Sequence, residues 1–397
     1  MKRFLMMLVV IFSAVILSLA FVGCGGGGGG GGVGNGAVDS DNDGIADADD
    51  AFPNDATRFA ALTETQLTTP AANFTAAVAV SNTVDGLVTV VGLRDVPATG
   101  AVVATQWDVD VATGSAGAAV DLQPLAGETF SAAYDINDSG RAVGESSANA
   151  GVDFVAVTWA PGSATPSLLP ALSAGNWSAA YSVDNSGHIV GEAEDAGGID
   201  RAVIWPAGST APTMLTDTLG SLTSSAYDIN GSGMVVGEVT DSTGVVHAAL
   251  WMVDTDGVQT EFADLGTALS LGGVSAIALK SRSGTVVGEY EDATGNAHAV
   301  EWTVDAAGAV TATTNLGAAG SESSASAVGG TRTVGWVVSG TDTIASLWDS
   351  RTTDPTLSQP ILTSASTFSQ AYDINGGGIA VGRFETATGD QAFVVIP

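Results

Sequence analysis

The chain has 397 residues, of which 43 are acidic and 11 basic, for a formal charge of −32. Phosphate binding needs clustered Lys and Arg, so this balance excludes nucleic acid as a partner and excludes docking on anionic lipid through a basic patch. Only 14% of residues are charged while 45% are hydrophobic, a composition able to build a core and unlike that of a disordered acidic tail. With 52 glycines, abundant Ala, Val, Thr and Ser, and little Lys, the chain reads as an all-β secreted protein. Its one cysteine leaves no partner for an intramolecular disulfide.

The first element is a targeting segment. Lys2 and Arg3 precede an apolar run from Phe4 to Phe21, and the small residues Val22 and Gly23 lead to Cys24. An apolar run of this length could span a bilayer uncleaved, but the positive start and the small-residue cut site predict a signal peptide over residues 1–23. The stretch from Leu19 to Cys24 resembles the box of bacterial lipoproteins, with Phe21 where Leu is usual. The resemblance implies removal of residues 1–23 and attachment to the membrane by a lipid on Cys24. Gly25 after that cysteine, rather than Asp, implies the outer membrane.

Residues 24–37 follow as a tether. Gly25 to Gly32 is unbroken glycine, which cannot pack and spans on the order of 20 Å as flexible coil. Residues 38–57 are acidic. Asp39, Asp41, Asp43, Asp47 and Asp50 stand at the first, third, fifth, ninth and twelfth positions of a calcium-loop spacing, with Gly44 at the sharp turn and the Ile45 carbonyl at the seventh position. Carboxylates this close repel one another without a cation, so the spacing predicts one bound Ca²⁺. Asp50 replaces the long bidentate Glu, and no helices flank the loop. The stretch resembles the calcium repeats of thrombospondin type 3, and the expected role is ordering of the junction rather than chemistry.

From residue 58 to 397 the chain repeats. A Val-Gly pair recurs with its glycine at 92, 144, 191, 237, 288, 335 and 382, at intervals of 46 to 52 residues. A tryptophan follows each of the first six: Trp107, Trp159, Trp205, Trp251, Trp302 and Trp348; the seventh place falls near Val395. Ala-Tyr-Asp-Ile-Asn stands at 133–137, 226–230 and 371–375, and Ala-Tyr-Ser-Val-Asp at 180–184. One copy reads as four short strands: 225–229, a turn at Asn230 to Gly233, then 234–239, 246–251 and 262–266. Four antiparallel strands per 40–50 residues make the blade of a β-propeller. The expected fold is therefore a seven-bladed β-propeller of four-stranded antiparallel blades. The last copy ends before a fourth strand, so the segment 61–67 is expected to pair with 391–396 and close the ring.

The pattern Ser-x-Ala-x-x-Ile-Asn-x-x-Gly-x-x-Val-Gly, then His-Ala-x-x-Trp, then Asp-Leu-Gly, clearest at Tyr227 to Gly237, His247, Ala248 and 264–266, resembles the HAF family of bacterial extracellular repeats. The resemblance implies the fold and an extracellular location, with no reaction attached to it.

The phased tryptophans are expected to pack between blades, and the phased glycines to allow close backbone approach. Glu145, Glu192, Glu238 and Glu289 follow the phased glycine in four consecutive copies. They form either a ring of solvated or turn-bonding carboxylates or a collar for a cation or sugar hydroxyls. Trp336 takes that place in the sixth copy; it and Trp177 are out of phase and are candidate stacking platforms for a sugar. His188, His247 and His298 are too scattered to make a metal site. No nucleophile elbow, phosphate loop or zinc motif appears. Two readings follow: a non-catalytic cell-surface module, expected to be monomeric, that binds a glycan or protein; and an enzyme acting on polysaccharide as lyase or hydrolase, for which so few His and Lys leave little acid–base chemistry. The connections after the second strands carry acids beside glycines, so a neutral or cationic ligand is expected on that face.

Overall fold

The computed structural model describes residues 38, 40, 62–67, 69, 72–148, 153–172, 177–209, 211–268, 275–318, 320–352, 354–362 and 366–397. Cys24, Asp39, Asp41, Asp43, Ile45, Asp47 and Asp50 lie outside them. The described chain is all-β, apart from one short 3₁₀ turn at Gly266–Ala268.

The strands fall into antiparallel sets of four in chain order. Unit 1 is Thr75–Val80, Leu87–Val96, Ala101–Asp110 and Val120–Leu122. Units 2 to 6 begin at Phe130, Ser178, Thr223, Ser275 and Ser323. Units 1 and 2 share one eight-stranded sheet only through a single parallel pair, Val102 with Phe130. Unit 7 has three strands in sequence, Ser369–Ile374, Ala380–Thr386 and Gly389–Ile396; its fourth is Thr63–Leu67, paired antiparallel from Thr63 opposite Ile396 to Leu67 opposite Ala392. The pairing expected of 61–67 is thus observed over 63–67, opposite 392–396.

Unit 4 has the expected four strands, with its fourth running Gln259–Asp264 and ending two residues early. The cause is local: Asp264 accepts the N–H of Gly266 at 2.8 Å and so bends the chain away from the sheet.

The first strand of every unit carries a β-bulge. The register slips at Val78, Tyr134, Tyr181, Tyr227, Leu279, Ser326 and Tyr372, always one residue after the Ala that faces the phased glycine. A bulge turns the local backbone out of the ladder. Here it drives a first-strand carbonyl onto the second strand: a Cβ on any of the seven phased glycines would lie about 2 Å from that oxygen. No side chain fits there, and the bulge accounts for the glycine.

Neighbouring units pack face to face. Separate apolar clusters join units 1 and 2, 2 and 3, 3 and 4, 4 and 5, 5 and 6, and 6 and 7, and a further one joins unit 7 back to unit 1. Each phased tryptophan is fully buried, in the interface with the preceding unit, and Val395 holds that place in unit 7. Four of the indoles also donate across the interface, as Trp251 does to the Thr216 carbonyl at 2.8 Å. A hydroxyl stitches the same boundaries from the other side: Ala202 N–H donates to Ser224 Oγ at 2.9 Å, with equivalents at Ser131, Ser178, Ser323, Ser369 and Thr75.

Candidate functional site

The bulges set the geometry of the site. The residues just past them are Ala79, Asp135, Ser182, Asp228, Lys280, Ala327 and Asp373, one per unit. Four of these converge on one point. The Lys280 ammonium lies 3.2 Å from Asp228, 3.7 Å from Asp135 and 3.9 Å from Asp373, so a single cation from unit 5 reaches units 2, 4 and 7. Lys280 is the only lysine after Lys2. Burial alone would lower its pKa, yet the three carboxylates hold it well above the usual lysine value.

Each of these aspartates also binds the next unit. Asp135 Oδ2 accepts the N–H of Val183, Asp228 Oδ2 that of Ser281, and Asp373 Oδ2 that of Val80, all at 2.9 Å. Ser182 supplies the link where an Asp is missing: its Oγ accepts the N–H of Ile229 in the next unit at 3.4 Å and donates back to Asp135 at 2.7 Å. Burial raises the Asp135 carboxyl above the ordinary range despite the neighbouring ammonium.

Above this floor is a cavity of about 440 Å³. Its rim is the set of turns after the first strands, including exposed Asn185, Gly231, Ser232 and Ser283. Arg282 donates to Asn82 Oδ1 at 3.1 Å, Asn82 donates to Asp138, and Asn185 donates to Asp138 at 2.7 Å, which ties units 5, 1, 2 and 3 around the opening. The phased asparagines hold the turns themselves: Asn137 Oδ1 accepts two backbone N–H groups of its own turn while its Nδ2 donates to the Asp184 carbonyl of the next unit.

The four phased glutamates lie further from these turns. Glu145 pairs in register with Ala132, three residues before Asp135, and Glu192, Glu238 and Glu289 stand likewise. They are not a solvated ring: Glu145 and Glu238 are buried, and Glu192 and Glu289 half-buried. Glu145, Glu192 and Glu238 sit against the bulge tyrosines, Tyr181 donating to Glu192 at 2.7 Å, and Tyr134, Tyr181 and Tyr227 follow one another at 5.8 and 5.7 Å between ring centres. Burial pushes Glu145 up to about 8 and Glu192 and Glu238 up to about 7, against the lowering effect of their hydrogen bonds. In unit 7 the collar position is Arg383, which donates to Tyr372 at 2.7 Å, pairs with Asp390 and lies 4.6 Å over Phe368. Trp336 and Trp177 are each only 8% exposed, so neither offers an open stacking face.

The acidic connections after the second strands cap their own turns. Asp241 accepts the N–H groups of Thr243 and Val245, and Asp292 those of Thr294 and Asn296, which with their side-chain partners holds both carboxyls well below the usual range. His247 bridges Asp264 at 3.0 Å and Asp241 at 3.4 Å, tying the His-Ala and Asp-Leu-Gly parts of the repeat together. His298 pairs with Asp292 and His188 with Asp184, each at 3.0 Å. Of the connection at Asn149–Asp153 only Asp153 is described. The cavity therefore opens among the uniform turns, and not on the face to which the variable acidic loops pointed. Lys280 was the missed residue, and a signal for it existed: it occupies the Asp position of the repeat.

No family model and no curated protein matches the chain. Among solved structures, it is similar to the β-propeller domain of the Trilobed protease from Pyrococcus furiosus, at 12% identity and a TM-score of 0.49, covering 80% of this chain and 91% of that one. A puromycin-hydrolyzing peptidase of Mycobacterium tuberculosis is similar at 14% identity and a TM-score of 0.47, and a Trypanosoma rangeli sialidase at 10% and 0.39; the match spans 49% and 54% of those chains. With sets of four antiparallel strands packed unit on unit, the chain is an all-β protein of propeller-like fold.

Proposed function

We propose that the protein is a lipid-anchored module of the bacterial cell envelope whose seven four-stranded units form a closed seven-bladed propeller of the HAF type, and that it binds a ligand without transforming it. A lipid on Cys24 holds it at the outer membrane, the glycine tether lifts it, and one Ca²⁺ on Asp39, Asp41, Asp43, Asp47 and Asp50 with the Ile45 carbonyl orders the junction. The observation that carries the binding reading is the axial cavity. Its floor charges are bound to one another across units, an arrangement that holds a shaped, fixed polar surface. The second reading, a polysaccharide lyase or hydrolase, rests on Glu145, Glu192 and Glu238, whose carboxyls retain protons near neutral pH as a general acid must. Glu145 is wholly buried, and its burial favours the binding reading.

Full-length protein incubated with a panel of polysaccharides separates the two. Retention of the polymer with no new chain ends is expected. New reducing or unsaturated ends that vanish in Glu192→Gln and Glu238→Gln would establish the enzyme, and neither binding nor cleavage would overturn both. For location, Cys24→Ser is expected to release the protein from the membrane fraction; continued pelleting would mean that the apolar run itself is the anchor.

A further inference from the structure

The floor of the axial cavity does not balance. Three carboxylates, Asp135, Asp228 and Asp373, face one ammonium, Lys280, leaving two surplus negative charges. At the rim, Arg282 lies close enough to offset Asp138. All three floor aspartates are more than nine-tenths buried, where an uncompensated charge is costly.

The hydrogen bonds say where compensation is missing. In Asp135 and Asp373 the Oδ2 atoms are bonded to the next unit. Their Oδ1 atoms lie 3.7 and 3.9 Å from the Lys280 ammonium, beyond hydrogen-bond length. Two carboxylate oxygens on buried side chains that line a roomy cavity are thus left without a donor.

From this balance we infer that the axial cavity binds an organic cation carrying a primary ammonium. The inference rests on the binding reading above and names its ligand class. Lys280 itself demonstrates that an alkylammonium fits among these carboxylates. A cavity of about 440 Å³ is far larger than a bare ion needs and falls within the range of small-molecule sites. Among the described residues, no group of three or more His, Cys, Asp or Glu is placed to hold a metal ion. No aromatic side chain lines the cavity, so a ligand there is held by charge and hydrogen bonds rather than by stacking.

The test is calorimetric titration of the full-length lipidated protein in detergent at pH 8, after chelation of calcium, with 1,4-diaminobutane as probe and 1,4-butanediol and CaCl₂ as controls. Asp41→Ala with Asp43→Ala serves as the background, so that the Asp-rich loop contributes no cation binding. Saturable one-to-one binding of the diamine is expected, with none for the diol. Asp135→Asn and Asp373→Asn should each weaken it at least tenfold while the melting temperature shows that both variants fold. Lys280→Met leaves three carboxylates without their ammonium and should bind the diamine at least tenfold more tightly; if that variant does not fold, the two Asn variants decide. No heat with the diamine, or equal affinity in Asp135→Asn, overturns the proposal. Calcium binding that Asp135→Asn abolishes would overturn it in favour of an inorganic ion. Polysaccharide binding that persists without any amine binding would leave the module reading standing and refute this one alone.

Discussion

Glu145, Glu192 and Glu238 hold a place that a composition argument would give to a hydrophobe. Each lies against a tyrosine, Glu145 and Glu238 buried and Glu192 half-buried, and the loss of water favours the neutral acid. This has a consequence for stability. In the folded chain these carboxyls titrate at about 8, 7 and 7, against an ordinary value of 4.5. Between those limits the unfolded chain has lost protons that the folded chain retains, so stability falls as pH rises from about 5 to about 8. Asp241 and Asp292 act in the opposite sense and in another window, since their lowered pKa values stabilise above the ordinary carboxylate range and that support is lost in acid. Urea midpoints measured at pH 5 and pH 8 should therefore be lower at pH 8. The triple variant Glu145→Gln, Glu192→Gln, Glu238→Gln should flatten the difference. A wild-type midpoint that stays level or rises across this interval would contradict the assignment.

The bulged first strand is the element from which the rest follows. It brings Asp135, Asp228, Lys280 and Asp373 together, forces glycine on the second strand, and turns a tyrosine toward a glutamate in three units and toward Arg383 in a fourth. The glycines provide a paired test within one hairpin. A Cβ at position 237 would stand 2.0 Å from the Ser225 carbonyl oxygen, a backbone atom that cannot move without breaking the bulge, whereas at Gly231 a Cβ would meet nothing within 4 Å. Gly237→Ala is expected to cost about 3 kcal/mol or more, the upper range for overpacking. Gly231→Ala should change stability by less than about 0.5 kcal/mol. Equal effects in thermal or urea unfolding would mean that the bulge is not a constraint. Phase alone made the glycine and the tryptophan of the repeat legible, because each answers a demand that recurs in unit after unit. The bulge left no such mark, since it costs one residue of register and no change of composition. Lys280 was hidden for a related reason: its meaning lies in the contrast with Asp135, Asp228 and Asp373 at the same phase, and the fifth copy had diverged enough to lose the rest of its Asp-Ile-Asn motif. The buried state of Trp336 was out of reach because its phased counterparts, Glu145, Glu192, Glu238 and Glu289, are a residue type expected at the surface.

At the scale of the molecule the question is whether the units stand as an open row or depend on one another around a ring. In an open repeat array each unit contacts only its neighbours, and loss of an end is local. Here the apolar cluster between units 7 and 1 contains Trp107, Val88 and Val90 from one side and Val381, Val394 and Ile396 from the other, with Leu67 of the N-terminal strand fully buried among them. The strand Thr63–Leu67 thus does two things at once: it covers the edge of Gly389–Ile396, and it completes the interface that joins last to first. Removing residues 62–67 exposes an edge strand beside a broken core, which invites pairing with other chains. The variant is expected to melt at a lower temperature, and the loss should be read as strongly in the fluorescence of Trp251, on the far side of the chain order, as in that of Trp107. Reporter variants that retain one tryptophan each make the comparison. Deleting the glycines 25–32 instead should leave the transition where it was, since a run of glycine has no side chains to bury. A synthetic peptide of residues 60–69 supplied in trans should restore part of the stability by adding back the missing strand. Should the deletion alter only Trp107 and leave the Trp251 transition untouched, the units would be behaving as an open row, and the dependence of every interface on the closing strand would have to be abandoned.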